Sequence, residues 1–319
     1  MVEGKIMIKA IKPALLDILS PLNFLTARMR LSPLSIALAA IFFLFSVPDA
    51  GSNDKLSVFV SIAPQRYFVQ QIGKELVDVH AMVPPVADPH TYEPKPRQMV
   101  SLATAKLYFA IGIEFEAARL TKILSTNPQI KVVHTDQGIQ RISMTAGHHH
   151  SEDQHDRSGR DPHIWLSPPL VMIQARTILN ALQEVDPIHR SSYEANYKTF
   201  MAELVDLDAD LKKIFADRQG LRFMVFHPSW GYFARSYGLV QVPTEIEGKS
   251  PKPAHLTELI ENAREKNIKI VFVQPQFSSK SAELIAREIG GEVAFVDALA
   301  ENWSENLREV ANKFEAALK

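Results

Sequence analysis

The chain has 319 residues, 46% of them hydrophobic, with a formal net charge of -1 and no cysteine. That length allows one large domain or two medium ones, and that apolar fraction suffices for a packed core. Near-neutral charge gives no reason to expect nucleic acid as a partner. The absence of cysteine excludes disulfides, thiolate metal ligands, thiol nucleophiles and a lipid-modified cysteine.

Residues 1–50 read as an N-terminal extension followed by a signal segment. Arg28 and Arg30 precede an apolar run from Leu34 to Val47, after which small and polar residues return. A short basic region, an apolar core of about 7–15 residues and a polar exit form a secretory signal, shorter than the roughly 20 residues of a bilayer-spanning helix. The expectation is export to the periplasm, with a retained anchor as the alternative.

From Lys55 onward, β-branched runs alternate with helical patterns. Strands are expected at 55–62, 76–83, 106–112 and 131–135, with helices at 65–73 and near 115–126. Residues 136–162 are polar. Helical periodicity resumes after Pro169 and continues over 187–218 without internal proline or glycine beyond Pro187. There Tyr193, Tyr197, Phe200, Leu204, Leu207 and Leu211 recur at three- and four-residue steps. A second series follows: strands at 221–226, 239–247, 268–274 and 292–297, and helices at 255–267, 279–291 and 305–319. Alternating strands and helices predict parallel sheets with crossover helices. The expected fold is α/β, with two similar lobes joined by one long helix. The lobes span 51–186 and 220–319, and the connector 187–219. No phosphate-binding loop, dinucleotide fingerprint, nucleophile elbow or HExxH pattern is present.

Asp-Pro-His occurs twice, at 88–90 and at 161–163, and a His-Pro step follows at 227–228. Open α/β sheets bind ligands in the loops at the carboxyl ends of their strands. His90, His163 and His227 each fall in such a loop, as does Asp297, so two lie in each lobe. If the lobes face each other, the four converge in the cleft. Zinc takes neutral imidazole nitrogen and carboxylate oxygen in a tetrahedron, and three histidines with one aspartate complete that shell. An isolated histidine after a strand is more often a loop or core residue, and Asp297 alone is equally a helix cap. The repeated context is what raises the histidines above that background. Asp88 and Asp161 suit either Asx turns or contacts to the imidazole rings. Glu93 and Glu247 are possible supports or plain solvated carboxylates. Trp165, Trp230 and Tyr232 are expected as cleft wall or core. The stretch 147–160 carries His148, His149, His150 and His155 among acidic residues, and reads as a solvated loop or a weak zinc-collecting tract.

The segments "ADPHTYEPKPRQM", "DPHIWLSP", "FHPSWGYFARSYGL", "EIEGKSPKP", "VFVQPQFSS" and "VDALAENW" resemble the substrate-binding proteins of zinc/manganese ABC transporters, over essentially all of 55–319. The resemblance implies two α/β lobes on a stiff connecting helix, with metal ligands at His90, His163, His227 and Asp297. It implies Zn²⁺ rather than Mn²⁺, because manganese-selective relatives carry Glu where this chain has His227. It also implies a monomer that delivers its ion to an inner-membrane permease with a cytoplasmic ATPase, releasing it by opening a loop more than by parting the lobes. The alternatives within reach are a manganese or iron carrier of the same class, a zinc hydrolase using Glu93 as base, and a surface adhesin or metal chaperone.

Overall fold

Strand β1 (Leu56–Ile62) is buried on both faces over most of its length, as the near-continuous apolar run of a central parallel strand requires. It opens the first of two sheets in the computed structural model, which describes residues 55–144, 160–245 and 251–317. All of these belong to one compact unit, Asp54–Lys319. The signal segment and the histidine-rich stretch around His148–His155 lie outside the described residues.

Helix α1 (Ala63–Gly73) follows β1 without a loop. It ends at Gly73, where a Cβ would stand 2.3 Å from Val77 Cγ2, so the chain turns into β2 (Val77–Val83) only because no side chain is there. Then come α2 (Pro96–Leu102), β3 (Leu107–Ala110), α3 (Glu114–Leu124) and β4 (Lys131–His134). The sheet order is β2-β1-β3-β4, with every pairing parallel.

Helix α4 (Pro168–Val185) starts on a proline pair whose missing N–H groups cost nothing in a first turn. A 3-10 turn (Pro187–His189) leads into α5 (Arg190–Ile214), 25 residues and about 37 Å long. The expected helix over 187–218 is therefore divided at its start. Asp186 Oδ2 accepts from Tyr193 Oη and from His189 Nδ1, both at 2.7 Å, which tightens that first turn. The six apolar residues expected to form the inner face of α5 are all buried.

The second half repeats the plan. β5 (Arg222–Val225), α6 (Gly231–Tyr237), β6 (Val240–Pro243), α7 (Pro253–Glu265), β7 (Ile270–Val273), α8 (Lys280–Ile289), β8 (Glu292–Phe295) and α9 (Trp303–Ala317) follow in order. Its sheet order is β6-β5-β7-β8, again all parallel. Each sheet reverses its winding between its first and third strands, which opens a crevice at the carboxyl ends. Two seven-residue helices, α2 and α6, were not anticipated from periodicity, since seven residues hold too few turns to show one.

The lobes do not have separate cores. One apolar cluster runs from Phe68 in α1, past Phe200 and Phe215 on and just beyond α5, to Trp303 and Phe314 in α9. Trp303 meets Phe68 edge-on at 5.0 Å, and Phe314 stacks on Phe272 of β7 at 4.0 Å. Only a smaller cluster under α7 and α8 stands apart.

Candidate metal centre

His90 lies in the loop after β2. Asp88 Oδ1 accepts its backbone N–H at 2.9 Å, an Asx turn that sets the loop. The His90 Nδ1 is 2.9 Å from Oε2 of Glu114, the first residue of α3. His163 is held more tightly. Asp161 Oδ1 accepts both its backbone N–H, at 2.8 Å, and its Nδ1–H, at 2.7 Å. His227 stands two residues past β5, and its Nδ1 is 2.8 Å from Glu245 Oε1, two residues past β6. Gln274 fixes the His227 backbone from the end of β7, accepting its N–H at 3.3 Å and donating to its carbonyl at 2.6 Å.

The three imidazoles thus share one device. A carboxylate at Nδ1 selects the tautomer with Nδ1 protonated, which leaves Nε2 with a free lone pair, the form that ligates metals. The His227 Nε2 is buried and has no hydrogen-bond partner among the described residues. Such an orphaned acceptor fits a cation.

The rings are gathered, not scattered. His227 lies 5.3 Å from His90 and 5.2 Å from His163, centroid to centroid, at 72° in both cases. Two imidazoles bound to one zinc at tetrahedral angles would place their centroids roughly 5.2 Å apart, given Zn–N near 2.0–2.1 Å. No group of three or more His, Asp or Glu side chains among the described residues stands as a ready-made metal cage. The ring spacings leave only ring and side-chain adjustment between this arrangement and three nitrogen donors on one ion. The cavity they border holds about 40 Å³ and is also walled by Trp165, Gln276 and Phe277. That volume admits a single ion or a few water molecules.

Asp297, two residues past β8, sits beside this cavity. Its Oδ1 accepts from Gln276 Nε2 at 3.1 Å and from the Leu299 N–H at 2.9 Å, and both of those residues border the cavity. Among the described residues no hydrogen bond joins it to any of the three imidazoles. The Leu299 contact is an Asx turn, so Asp297 does not cap α9 as the plainer reading of a strand-end aspartate would have it. Glu93 takes the plainer of its two readings, a solvated carboxylate: it pairs with Arg119 on the surface and does not border the cavity. Glu247 lies outside the described residues.

Two residues expected only as wall or core also act as supports. Tyr232 in α6 donates to the Asp161 carbonyl at 2.9 Å and accepts the Ile142 N–H at 3.1 Å. It thereby fixes both sides of the neck of the histidine-rich segment, where Ser143 and Arg160 form an antiparallel bridge. Trp165, expected as wall or core, is both: its ring is 5.0 Å from His163, and its indole donates to the Ala298 carbonyl of the other lobe at 2.7 Å. Trp230 is fully buried core.

Burial pushes the His163 imidazole below its ordinary value of 6.5. The Asp161 carboxylate opposes this, and the nearby His227 and His90 add to the lowering. The unfolded chain then binds the proton more readily than the folded one. The stabilising contribution is complete above about pH 6.5 and is lost as pH falls below it. The thermal midpoint of the metal-free protein should therefore drop between pH 7.5 and 5.5 more steeply than that of His163→Gln. Parallel curves would contradict this.

Fold and site together define the substrate-binding component of an ABC transporter for zinc or manganese ions. Residues 58–317 match the family described as zinc-uptake complex component A, periplasmic, and the chain belongs to that family. The high-affinity zinc uptake system protein ZnuA of Bacillus subtilis is 31% identical over 260 residues, 77% of this chain and 79% of that protein. The manganese ABC transporter substrate-binding lipoprotein PsaA of Streptococcus anginosus is 26% identical over 273 residues, 81% of this chain and 85% of that protein. A crystal structure of ZnuA superposes with a TM-score of 0.78 at 45% identity, covering 83% of this chain and all of that one. These are transport proteins that bind their substrate unchanged, not enzymes. Among the described residues no helix is long and apolar enough to cross a membrane.

Proposed function

We propose that this chain captures Zn²⁺ in the periplasm with high affinity and delivers it, as a monomer, to the permease of an ATP-driven importer. His90, His163 and His227 bind the ion through Nε2. Asp297 supplies the fourth donor through Oδ2, since Oδ1 already accepts two hydrogen bonds. The observation that carries this reading is the trio of imidazoles around one ion-sized cavity, each with its Nδ1 held by a carboxylate. Three nitrogen donors favour zinc over manganese, which prefers oxygen-rich sites. The PsaA relative keeps manganese as the second reading.

The three imidazoles contribute unequally to capture. His163 and His227 have 7% and 9% of their side chains exposed, His90 has 35%. An arriving ion meets His90 at the rim and the other two inside. The test is the metal content of protein isolated from its native compartment, with competition calorimetry on the stripped material. One zinc per chain and a single tight site are expected. Isolation with manganese alone, or indifference to added Zn²⁺, would overturn the assignment.

A further inference from the structure

The side-chain amide of Gln276 spans the cleft. It stands in the turn after β7, where the Phe277 N–H bonds to the Gln274 carbonyl at 3.1 Å. Its Nε2 carries two hydrogens and uses them on opposite lobes. One goes to the Pro85 carbonyl at 2.8 Å, in the loop that ends at His90, and the other to Asp297 Oδ1 at 3.1 Å. The Pro85 loop is a closed turn, with the Ala87 N–H on the Pro84 carbonyl at 3.0 Å and the Thr91 N–H on the Asp88 carbonyl at 3.2 Å. Movement at Pro85 therefore reaches His90 through a short, internally bonded segment. The next residue, Phe277, lies 5.2 Å from the His227 ring.

We infer that Gln276 is a positioning residue that ties the His90 loop to Asp297, so that the rim imidazole and the carboxylate engage and leave the ion together. This rests on the ligand set proposed above. The geometry gives each partner a distinct need. Asp297 needs an oriented donor at Oδ1 so that Oδ2 is presented, and supports of this kind are typically worth 10–100-fold in metal affinity. The Pro85 loop gains an anchor at its most open point, where the neighbouring Val86 is 84% exposed. Gln276 meets both needs with one group. A shorter or donorless residue frees the two at once, while a merely structural role would affect stability without changing how the ion leaves.

The experiment uses the full exported chain loaded with Zn²⁺ and, separately, with Co²⁺ as a spectroscopic probe. Gln276→Ala and the isosteric Gln276→Glu, which lacks both donors, are compared with the natural protein and with Asp297→Asn. Zinc loss to a chelator is followed by stopped flow, and amide exchange over 84–91 by mass spectrometry. Both Gln276 variants should lose zinc about tenfold faster, expose the 84–91 amides, and shift the Co²⁺ absorption in the same direction as Asp297→Asn. Combining Gln276→Ala with Asp297→Asn should add little to the loss rate, because two residues acting through one contact are not independent. Gln276 variants that release zinc within twofold of the natural rate would overturn the inference. So would full additivity with Asp297→Asn. Failure of the natural protein itself to bind zinc would instead sink the ligand assignment, so the two outcomes are separate.

Discussion

Replacing His163 with alanine should cost Zn²⁺ affinity roughly 10²–10³-fold. Site energies of about 10–16 kcal/mol shared among four donors assign about 2.5–4 kcal/mol to each. His163 should stand at the upper end, because it is the most enclosed of the three and its ring is already oriented by Asp161. Its removal also leaves Asp161, 1% exposed, with one partner fewer in a dry environment, where a lost hydrogen bond is expensive. Affinity and thermal stability should therefore fall together. His90→Ala differs: its ring and its partner Glu114 are both open to solvent, so affinity should fall with little change in stability. Competition calorimetry with a strong chelator measures the first quantity and thermal unfolding of the stripped protein the second. An unaltered zinc affinity in His163→Ala would remove the basis of the proposed site.

Gly231→Ala should be nearly as damaging, although Gly231 touches no metal. A Cβ there would stand 2.6 Å from Asp161 Oδ2 and 3.3 Å from Ile142 Cδ1. The aspartate has little freedom to retreat. Its N–H bonds to the Ile142 carbonyl at 2.9 Å, its own carbonyl accepts from Tyr232, and Oδ1 holds His163 twice. Overpacking of this kind costs about 1–3 kcal/mol, or several degrees in Tm for a domain of this size. Any movement of Asp161 turns the His163 ring away from its set position, so zinc affinity should fall as well. A variant with the natural Tm and the natural affinity would show that the neck between α6 and Asp161 yields freely.

Part of this site was legible from order along the chain, and part was not. Asp161 and His163 are two residues apart, so a local turn suffices to pair them. The doubled Asp-Pro-His announced both the residue and the device. The carboxylates on His90 and His227 are different. Glu114 lies 24 residues from His90 and Glu245 lies 18 from His227. They meet only because β3 and β6 end at the same edges as β2 and β5, and strand order is set by crossover packing rather than by any local pattern. Gln276 reaching Pro85 is further removed still, a contact between lobes 191 residues apart in sequence. The two parallel sheets and the inner face of α5 were readable because long apolar periodicities survive tertiary context. Strand limits were less so. Most of the observed strands have four residues where spans of five to nine were expected, since loop residues at the carboxyl ends are also buried here.

The aromatic seam from Phe68 through Trp303 to Phe314 has a mechanical corollary for unloading. With that seam beneath both sheets, and the Trp165 indole pinned to the opposite half at 2.7 Å, the molecule has no jaws to part. A membrane receptor accepting its cargo would face a nearly solid body. It would have to strip the proposed donors in stages, the outermost imidazole at position 90 and the carboxylate tied to its loop first, while the deeper pair keeps its grip until the last moment.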